Sequence, residues 1–140
     1  MKKALILKFV NAVLKRNKNC ILSTSSLDGK PESAAMNYCE IKNGKLYFYC
    51  YYDTRKYPNL KNNPRVSVVV YNEPDYIQMD GTIKELSEIK AKQARKKLIK
   101  KHGRVEYHSD KRCRYFLFKP NWISVRTDPT YPATYQIIEI

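Results

Sequence analysis

The sequence has few of the residues that mark common nucleotide-binding and catalytic sites. It contains four glycines in 140 residues, and none stands in a GxGxxG or GxxxxGK[ST] pattern, which excludes a Rossmann or P-loop nucleotide site at the level of motifs. Its two histidines, His102 and His108, have no Ser/His/Asp or Cys/His context. A hydrolase triad is therefore hard to assemble, and we expect both histidines to lie at the surface.

Cysteine spacing and hydropathy exclude two further classes of protein. The four cysteines form no CxxC pair and have no histidine at metal-ligand spacing, so we predict no metal site and interpret the cysteines as small apolar strand residues. No stretch approaches the roughly 18 to 20 apolar residues of a membrane span. Charges at Lys8, Lys15 and Arg16 interrupt the apolar N-terminus, and no small-residue cleavage site follows. A cytoplasmic protein with reduced thiols is the expectation.

Acidic residues are scarce relative to basic ones. Lys and Arg outnumber Asp and Glu by 27 to 13, a net charge of +14, and most of the excess lies in residues 88–114. This segment could neutralise nucleic-acid phosphates, but no nucleic-acid motif and no interleaved aromatic residues accompany it. We therefore consider nucleic acid an unlikely partner and favour a solvated helix that packs Ile89, Ala94 and Leu98 inward.

The residue pattern predicts a β-rich domain with helices near both ends. Apolar residues at helical spacing predict a helix over residues 3–17. Asp28-Gly29 and Asn43-Gly44 each stand between β-rich runs, which predicts two tight hairpin turns and three antiparallel strands. A short helical turn is predicted over residues 56–62, and a longer helix is predicted from Ser87 to Gly103.

Further strands complete the predicted architecture. They cover residues 65–71, residues 76–86, one or two strands over 114–127 broken at Pro120, and an edge strand in the tail 131–140. Gly81 inside its strand predicts a bulge or the close approach of another group. We predict one domain, residues 1–140, of the mainly β class: a small β-barrel with flanking helices.

The predicted third strand is aromatic on both faces. By alternation Tyr47, Tyr49 and Tyr51 share one face, and Phe48, Cys50 and Tyr52 share the other. Both faces must therefore be covered. The barrel core would cover one, and either a second subunit or a large planar ligand would cover the other.

The loop after this strand carries Thr54, Arg55 and Lys56 in succession. Arginine offers a fixed fork of donors to phosphate, lysine adds a mobile charge, and the threonine hydroxyl is a further donor. The spacing alone also fits an ordinary surface loop, so a phosphate site and a plain basic loop both remain open.

Four segments resemble a known family. They are ILSTSSLDGKPESAAMNY, YFYCYYDTRKYPNLKNNPRVSVVV, IQMDGTIKEL and FKPNWISV, and together they resemble the pyridoxamine 5′-phosphate oxidase-like proteins, the FMN-binding split β-barrels. The resemblance covers residues 3–127. It implies a homodimer of split barrels with two FMN molecules at the subunit interface.

The resemblance also implies a set of FMN-binding residues. Arg55 and Lys56 would bind the phosphate, with Thr54 as an additional donor. The strand residues 35–38 would lie along the isoalloxazine, mainly through backbone groups, and Trp122 would reach the flavin of the partner subunit. The full set implied for FMN is Ala35, Met36, Asn37, Tyr38, Tyr49, Cys50, Thr54, Arg55, Lys56, Gln78 and Trp122.

Departures from the true oxidase limit the predicted activity. Ala34 and Cys39 stand where the oxidase carries basic side chains, and its C-terminal Arg and His segment is missing. The chain is more similar to the short general-stress and nitroimidazole-reductase-like flavoproteins, which implies an FMN-dependent oxidoreductase with a small-molecule substrate and no assigned catalytic residue. The alternatives are a barrel that binds deazaflavin F420 or haem, for which only His102 or His108 could supply a histidine ligand, and a flavin-binding protein without turnover.

Overall fold

Six antiparallel strands close into a barrel, and a seventh lies beside it. The computed structural model describes residues 1–130 and 132–140. The strands follow the order β3-β2-β1-β4-β5-β6-β7, and β6 also pairs with β3, which closes the ring. Their bounds are β1 Asn19–Ser25, β2 Pro31–Glu40, β3 Leu46–Tyr51, β4 Arg65–Asn72, β5 Asp75–Glu85, β6 Cys113–Asp128 and β7 Thr134–Glu139. The predicted mainly β class, a split β-barrel with flanking helices, is confirmed.

In the described part of the chain four helices accompany the barrel: α1 Lys3–Arg16, α2 Tyr57–Asn62, α3 Glu88–His102 and α4 Val105–His108. Ser87 caps the start of α3 and Gly103, in the left-handed conformation, ends it, as the sequence predicted. Within the described residues no helix combines the length and hydropathy that a membrane span requires. The tail strand is β7; Tyr131, the first residue of the predicted tail, lies outside the described residues.

The two predicted hairpin turns join β1 to β2 and β2 to β3. Asn43 and Gly44 both have positive φ, 55° and 85°, and the Lys45 N–H donates to the Lys42 carbonyl at 3.1 Å. Positive φ at both central residues defines a type I′ turn, whose twist matches that of the flanking strands. Local turn chemistry therefore fixes the register of β3, the strand on which much of the site is built.

The predicted break at Pro120 is wrong, because β6 runs through it without interruption. Pro120 lies opposite Gly81, where the β5–β6 register shifts, and a bulge is one of the few places where a strand accepts proline. A Cβ atom on Gly81 would lie 2.2 Å from the Lys119 carbonyl oxygen. The close approach predicted at Gly81 is confirmed.

The barrel interior holds the main hydrophobic core. The inward-facing aromatic rings include Tyr38, Phe48, Phe116 and Phe118, all fully buried, and α1 adds Val10 and Leu14 from one open end. All four cysteines are free and buried. They occupy β1, β2, β3 and β6, which confirms their interpretation as strand residues.

A second hydrophobic cluster lies on the outside of the barrel, under α3. Ala94 and Leu98 are fully buried there against Cys39, Cys113 and Tyr115, with the three tyrosines of β3 packed at its edge. Burying one leucine side chain contributes about 1.5–3 kcal/mol. Helix α3 thus covers part of the tyrosine face for which the sequence suggested only a subunit or a ligand.

The predicted inward face of α3 needs one correction. Ile89 is 84% exposed, because it lies five residues before Ala94 and so about 140° around the helix from it. Lys101, counted among the basic residues, instead turns inward: its side chain is 12% exposed and pairs with Glu40. It also lies 4.3 Å from the centre of the Tyr38 ring.

Candidate functional site

An open cleft of about 460 Å³ lies on the outer face of β2 and β3. Its volume is within the usual range of about 300–1,000 Å³ for ligand pockets. The lining residues are Asn19, Ala35, Met36, Asn37, Tyr49, Cys50, Tyr51, Thr54, Lys56, Arg104 and Tyr107. Most of the residues that the sequence assigned to FMN thus meet in one cavity.

Backbone and side chains contribute differently to the floor of the cleft. Met36 and Cys50 are 6% and 5% exposed and belong to the barrel core, so they offer mainly backbone groups. Ala35, Asn37 and Tyr49 alternate with them and face outward. The Asn37 side-chain amide donates to the Tyr49 hydroxyl at 3.3 Å, which holds this part of the floor together.

The loop after β3 forms one wall. The Thr54 hydroxyl donates to the Tyr51 carbonyl at 2.7 Å, and the Thr54 N–H donates to the same oxygen at 3.1 Å. These bonds fix the loop on the end of β3, but they use the only proton of the Thr54 hydroxyl. Lys56 is half-buried and lines the cleft.

Arg55 points away from the cleft in this structure. Its side chain is 85% exposed, and its Nε lies 3.9 Å from a Glu32 carboxylate oxygen. An exposed pair at this distance contributes little, about 0–1 kcal/mol. Arg55 is therefore free to turn toward an anion beside Lys56, and its predicted role in phosphate binding remains a prediction.

Three other predicted residues lie outside the cleft within one chain. The Tyr38 ring is in the core, and its hydroxyl donates to the Leu14 carbonyl at 2.7 Å. Gln78 lies on the outer face of β5, and Trp122 is on β6 opposite Asp80. Neither Gln78 nor Trp122 is among the described residues that line the cleft.

Gln78 belongs to a row of outward-facing side chains that begins at the cleft. Neighbouring strands pair these residues side by side in the order Ala35, Ile21, Val69, Gln78, Ser124 and Ile137. Ile21 and Ile137 are 44% and 59% exposed. We call this row the outer wall. Ser124 within the row is only 8% exposed, so the exposed apolar side chains lie toward its two ends; such side chains are typical of interaction sites.

His108 is not at the surface, so that expectation is wrong. It is 3% exposed, its Nδ1 lies 2.8 Å from the Tyr115 hydroxyl, and its ring centre is 4.5 Å from that of Tyr49. Its Nε2 is buried without a partner in the described part of the chain. Helix α4 folds back over β3 and β6, which a reading of local sequence could not show.

The pKa of His108 is lowered by burial and by the nearby charge of Arg95. Burial also lowers the pKa of His102, which is half-buried and whose Nε2 lies 2.6 Å from the Tyr38 carbonyl oxygen. Both imidazoles are therefore less readily protonated than a free histidine. Neither lines the cleft.

The cleft is positively charged. Lys56 and Arg104 line it, and no carboxylate does among the described residues. Burial raises the pKa of the Cys50 thiol to about 11, so this thiol stays protonated near neutral pH. The arrangement suits the binding of an anionic ligand rather than covalent catalysis.

The sequence interpretation missed Arg104 and Tyr107. They follow β3 by some fifty residues in the chain and reach the cleft because α3 ends at Gly103 and the chain turns back. The only local signal was the helix stop at Gly103, which indicates a turn but not its direction.

The sequence pattern of the family described as "Pyridoxamine 5'-phosphate oxidase" matches residues 6–126. The chain belongs to this family. The family suggested by the four sequence segments is therefore confirmed. No curated protein matches the chain.

Solved structures of other proteins share the fold. General stress protein 26 of Bacillus anthracis is 18% identical, with 96% of this chain and 98% of that chain covered and a TM-score of 0.73. A related protein of Clostridium acetobutylicum is 16% identical, with 99% and 97% covered and a TM-score of 0.77. The haem storage protein HutZ of Vibrio cholerae is 16% identical, with 79% and 87% covered and a TM-score of 0.69. At these identities the similarity shows the fold alone.

Proposed function

We propose that the protein binds FMN in the cleft and acts as a flavin-dependent oxidoreductase on a small molecule. The observation that carries the proposal is that one cavity unites the phosphate-binding candidate Lys56 with the strand residues 35–37 and Tyr49. These residues were assigned to opposite ends of the same ligand. A cleft with two cations and no carboxylate in the described residues also suits a phosphorylated ligand.

Each part of the cleft has a role in this proposal. Lys56 would bind the phosphate, and Arg55 would turn from solvent to join it. The outer face of β2 and the Tyr49 ring would hold the planar ring system. FMN, when bound, supplies the electron-transfer chemistry, while the chain binds it, orients it and limits access to it.

We further propose a homodimer in which a second copy covers the outer wall. Gln78 and Trp122 do not line the cleft of their own chain, but they lie on strands whose outward side chains continue the outer wall. Pairing of two such walls in an isologous interface would bury the exposed Ile21 and Ile137 and could carry Gln78 and Trp122 to the partner's cleft.

The dimer proposal has its own test. Ile137→Glu places a charge on the wall, and Lys30→Glu changes the charge of a turn elsewhere. We expect wild type and the Lys30 variant to sediment as dimers and the Ile137 variant as a monomer with weakened FMN binding. Wild type that sediments as a monomer would refute the proposal.

Haem is the second candidate, favoured by the fold shared with HutZ. The histidines argue against it in this chain, because neither His102 nor His108 lines the cleft. F420 would use the same positive cleft as FMN. Protein that binds flavin but never accepts electrons would be a carrier rather than an enzyme.

The deciding experiment is a titration of purified protein with FMN, riboflavin, F420 and haemin, followed by absorption and flavin fluorescence. We expect FMN to bind more tightly than riboflavin because only FMN carries the phosphate. Anaerobic bleaching of the bound flavin by a reduced nicotinamide would support the oxidoreductase. A Soret band with haemin and no response to FMN would overturn the proposal.

A further inference from the structure

Arg104 and Tyr107 form a wall of the cleft that the proposed FMN site does not use. Helix α3 ends at Gly103, whose φ is 68° and whose N–H donates to the Ile99 carbonyl at 2.7 Å. The chain then turns back, and Arg104 and Tyr107 reach the cleft from the side of α4. We call residues 102–108 the helix corner.

Several contacts hold the helix corner on the barrel. His102 Nε2 lies 2.6 Å from the Tyr38 carbonyl oxygen on β2. The Tyr51 hydroxyl donates to the Tyr107 carbonyl at 3.5 Å, and the His108 ring packs on Tyr49 with centres 4.5 Å apart. Because both ends of the corner are attached to cleft strands, the Arg104 charge is held beside the cavity.

The Arg104 guanidinium lacks an ion-pair partner within residues 1–130 and 132–140. Its guanidinium carbon lies 5.7 Å from the centre of the Tyr107 ring. The other cation of the cleft, Lys56, lies on the loop after β3 and is assigned to the FMN phosphate. Arg104 is thus a second positive group on a different wall, available for a second anion.

The chemistry of this pair indicates the kind of ligand. A guanidinium presents parallel N–H donors that match the two oxygens of a carboxylate. Tyr107 is 41% exposed and offers a ring for stacking and a hydroxyl as a donor.

We propose that Arg104 and Tyr107 bind the carboxylate of a planar aromatic acid, which occupies the cleft as the second ligand beside the flavin. The proposal rests on the proposed function, since it names the substrate class of the same site. Arg104 selects the anion, and Tyr107 stacks on its ring.

The test compares two probes of nearly equal size, 4-nitrobenzoate and neutral 4-nitrobenzamide. Their binding to FMN-loaded protein is followed by the change in flavin absorption without any electron donor, so no turnover is needed. We expect wild type to bind the benzoate about tenfold more tightly or better, as one charged hydrogen bond allows. Arg104→Gln should abolish this preference and Arg104→Lys should keep part of it. Tyr107→Leu should weaken both probes.

The matched control is Arg95→Gln, which removes the same charge from α3 outside the cleft and should keep the full preference. Equal binding of both probes by wild type, or an unchanged preference in Arg104→Gln, would overturn the inference while FMN binding remains intact. Failure of wild type to bind FMN would overturn the proposed function instead. Calorimetry of both probes with FMN-free protein then decides whether Arg104 selects the carboxylate on its own.

Discussion

Replacing Lys56 with alanine should weaken FMN binding by about 1.5–3 kcal/mol, the range for a hydrogen bond to a charged group. This corresponds to about a 10- to 150-fold rise in Kd. Lys56 is half-buried in the cleft, whereas the Arg55 side chain is 85% exposed and must reorient to reach the same phosphate. We therefore expect a smaller loss for Arg55→Ala, about 1 kcal/mol, and a combined loss near the sum.

Flavin fluorescence quenching gives the dissociation constants, with riboflavin as the ligand that lacks the phosphate. Riboflavin binding should change less than about twofold in Lys56→Ala. The matched control is Lys61→Ala, which removes the same charge from the adjacent helix α2, where Lys61 lies 3.8 Å from Glu85. Equal losses for FMN and riboflavin, or equal losses in the Lys56 and Lys61 variants, would refute the phosphate assignment.

Three further predictions concern stability. Gly81→Ala should lower the free energy of unfolding by about 3 kcal/mol in urea denaturation, because its Cβ would lie 2.2 Å from the Lys119 carbonyl oxygen; a loss below about 1 kcal/mol would contradict the close packing. Asp75→Asn should cost about 2 kcal/mol, because the buried carboxylate accepts two hydrogen bonds from half-exposed Arg16; it should also reduce the loss of stability below pH 4, since the pKa of Asp75 is lowered by Arg16. The pKa of His108 is lowered by burial, so the unfolded chain binds more protons below about pH 6.5; the melting temperature should fall as pH drops from 7.5 to 5.5, and fall less steeply in His108→Phe.

Much of the fold could be predicted where short segments determine their own geometry. Asn-Gly is a preferred pair for the type I′ turn, which requires positive φ at both residues. Asn43 and Gly44 adopt it, so the turn and the register of β3 follow from two residues. Ser87 and Gly103 set the two ends of α3 for a similar reason. The Ser87 side chain accepts a hydrogen bond from the Lys90 N–H, and Gly103 has no side chain to disfavour the left-handed conformation. Neither inference depends on distant parts of the chain.

Errors arose where distant contacts decide the outcome. Pro120 continues a strand because its neighbour across the ladder is Gly81 at a register shift. His108 is buried because α4 lands on β3 and β6, a contact between segments far apart in sequence. Local patterns contain no information on such pairings.

The residues of the candidate site also differ in whether the sequence alone could identify them. Ala35, Tyr49 and Lys56 were named from the family resemblance, and the structure places them in one cleft. Arg104 was not named, because only the closed barrel brings the helix corner to β3. Gln78 and Trp122 lie outside the cleft, and their role in FMN binding stays a prediction.

The pairing of β3 with β6, which closes the barrel, has a consequence for folding and exchange. It places Tyr51 opposite Cys113, so it closes a loop made of all the chain between them. Closing a long loop costs conformational entropy, which makes this pairing of β3 with β6 one of the costlier contacts to form. Residues of β3 line the cleft, and the helix corner connects α3 to the segment that enters β6. Ligands that contact both the cleft floor and the helix corner would stabilise the pairing of β3 with β6. We therefore expect FMN together with the proposed aromatic acid to slow hydrogen exchange most at the β3–β6 amides and to raise the melting temperature.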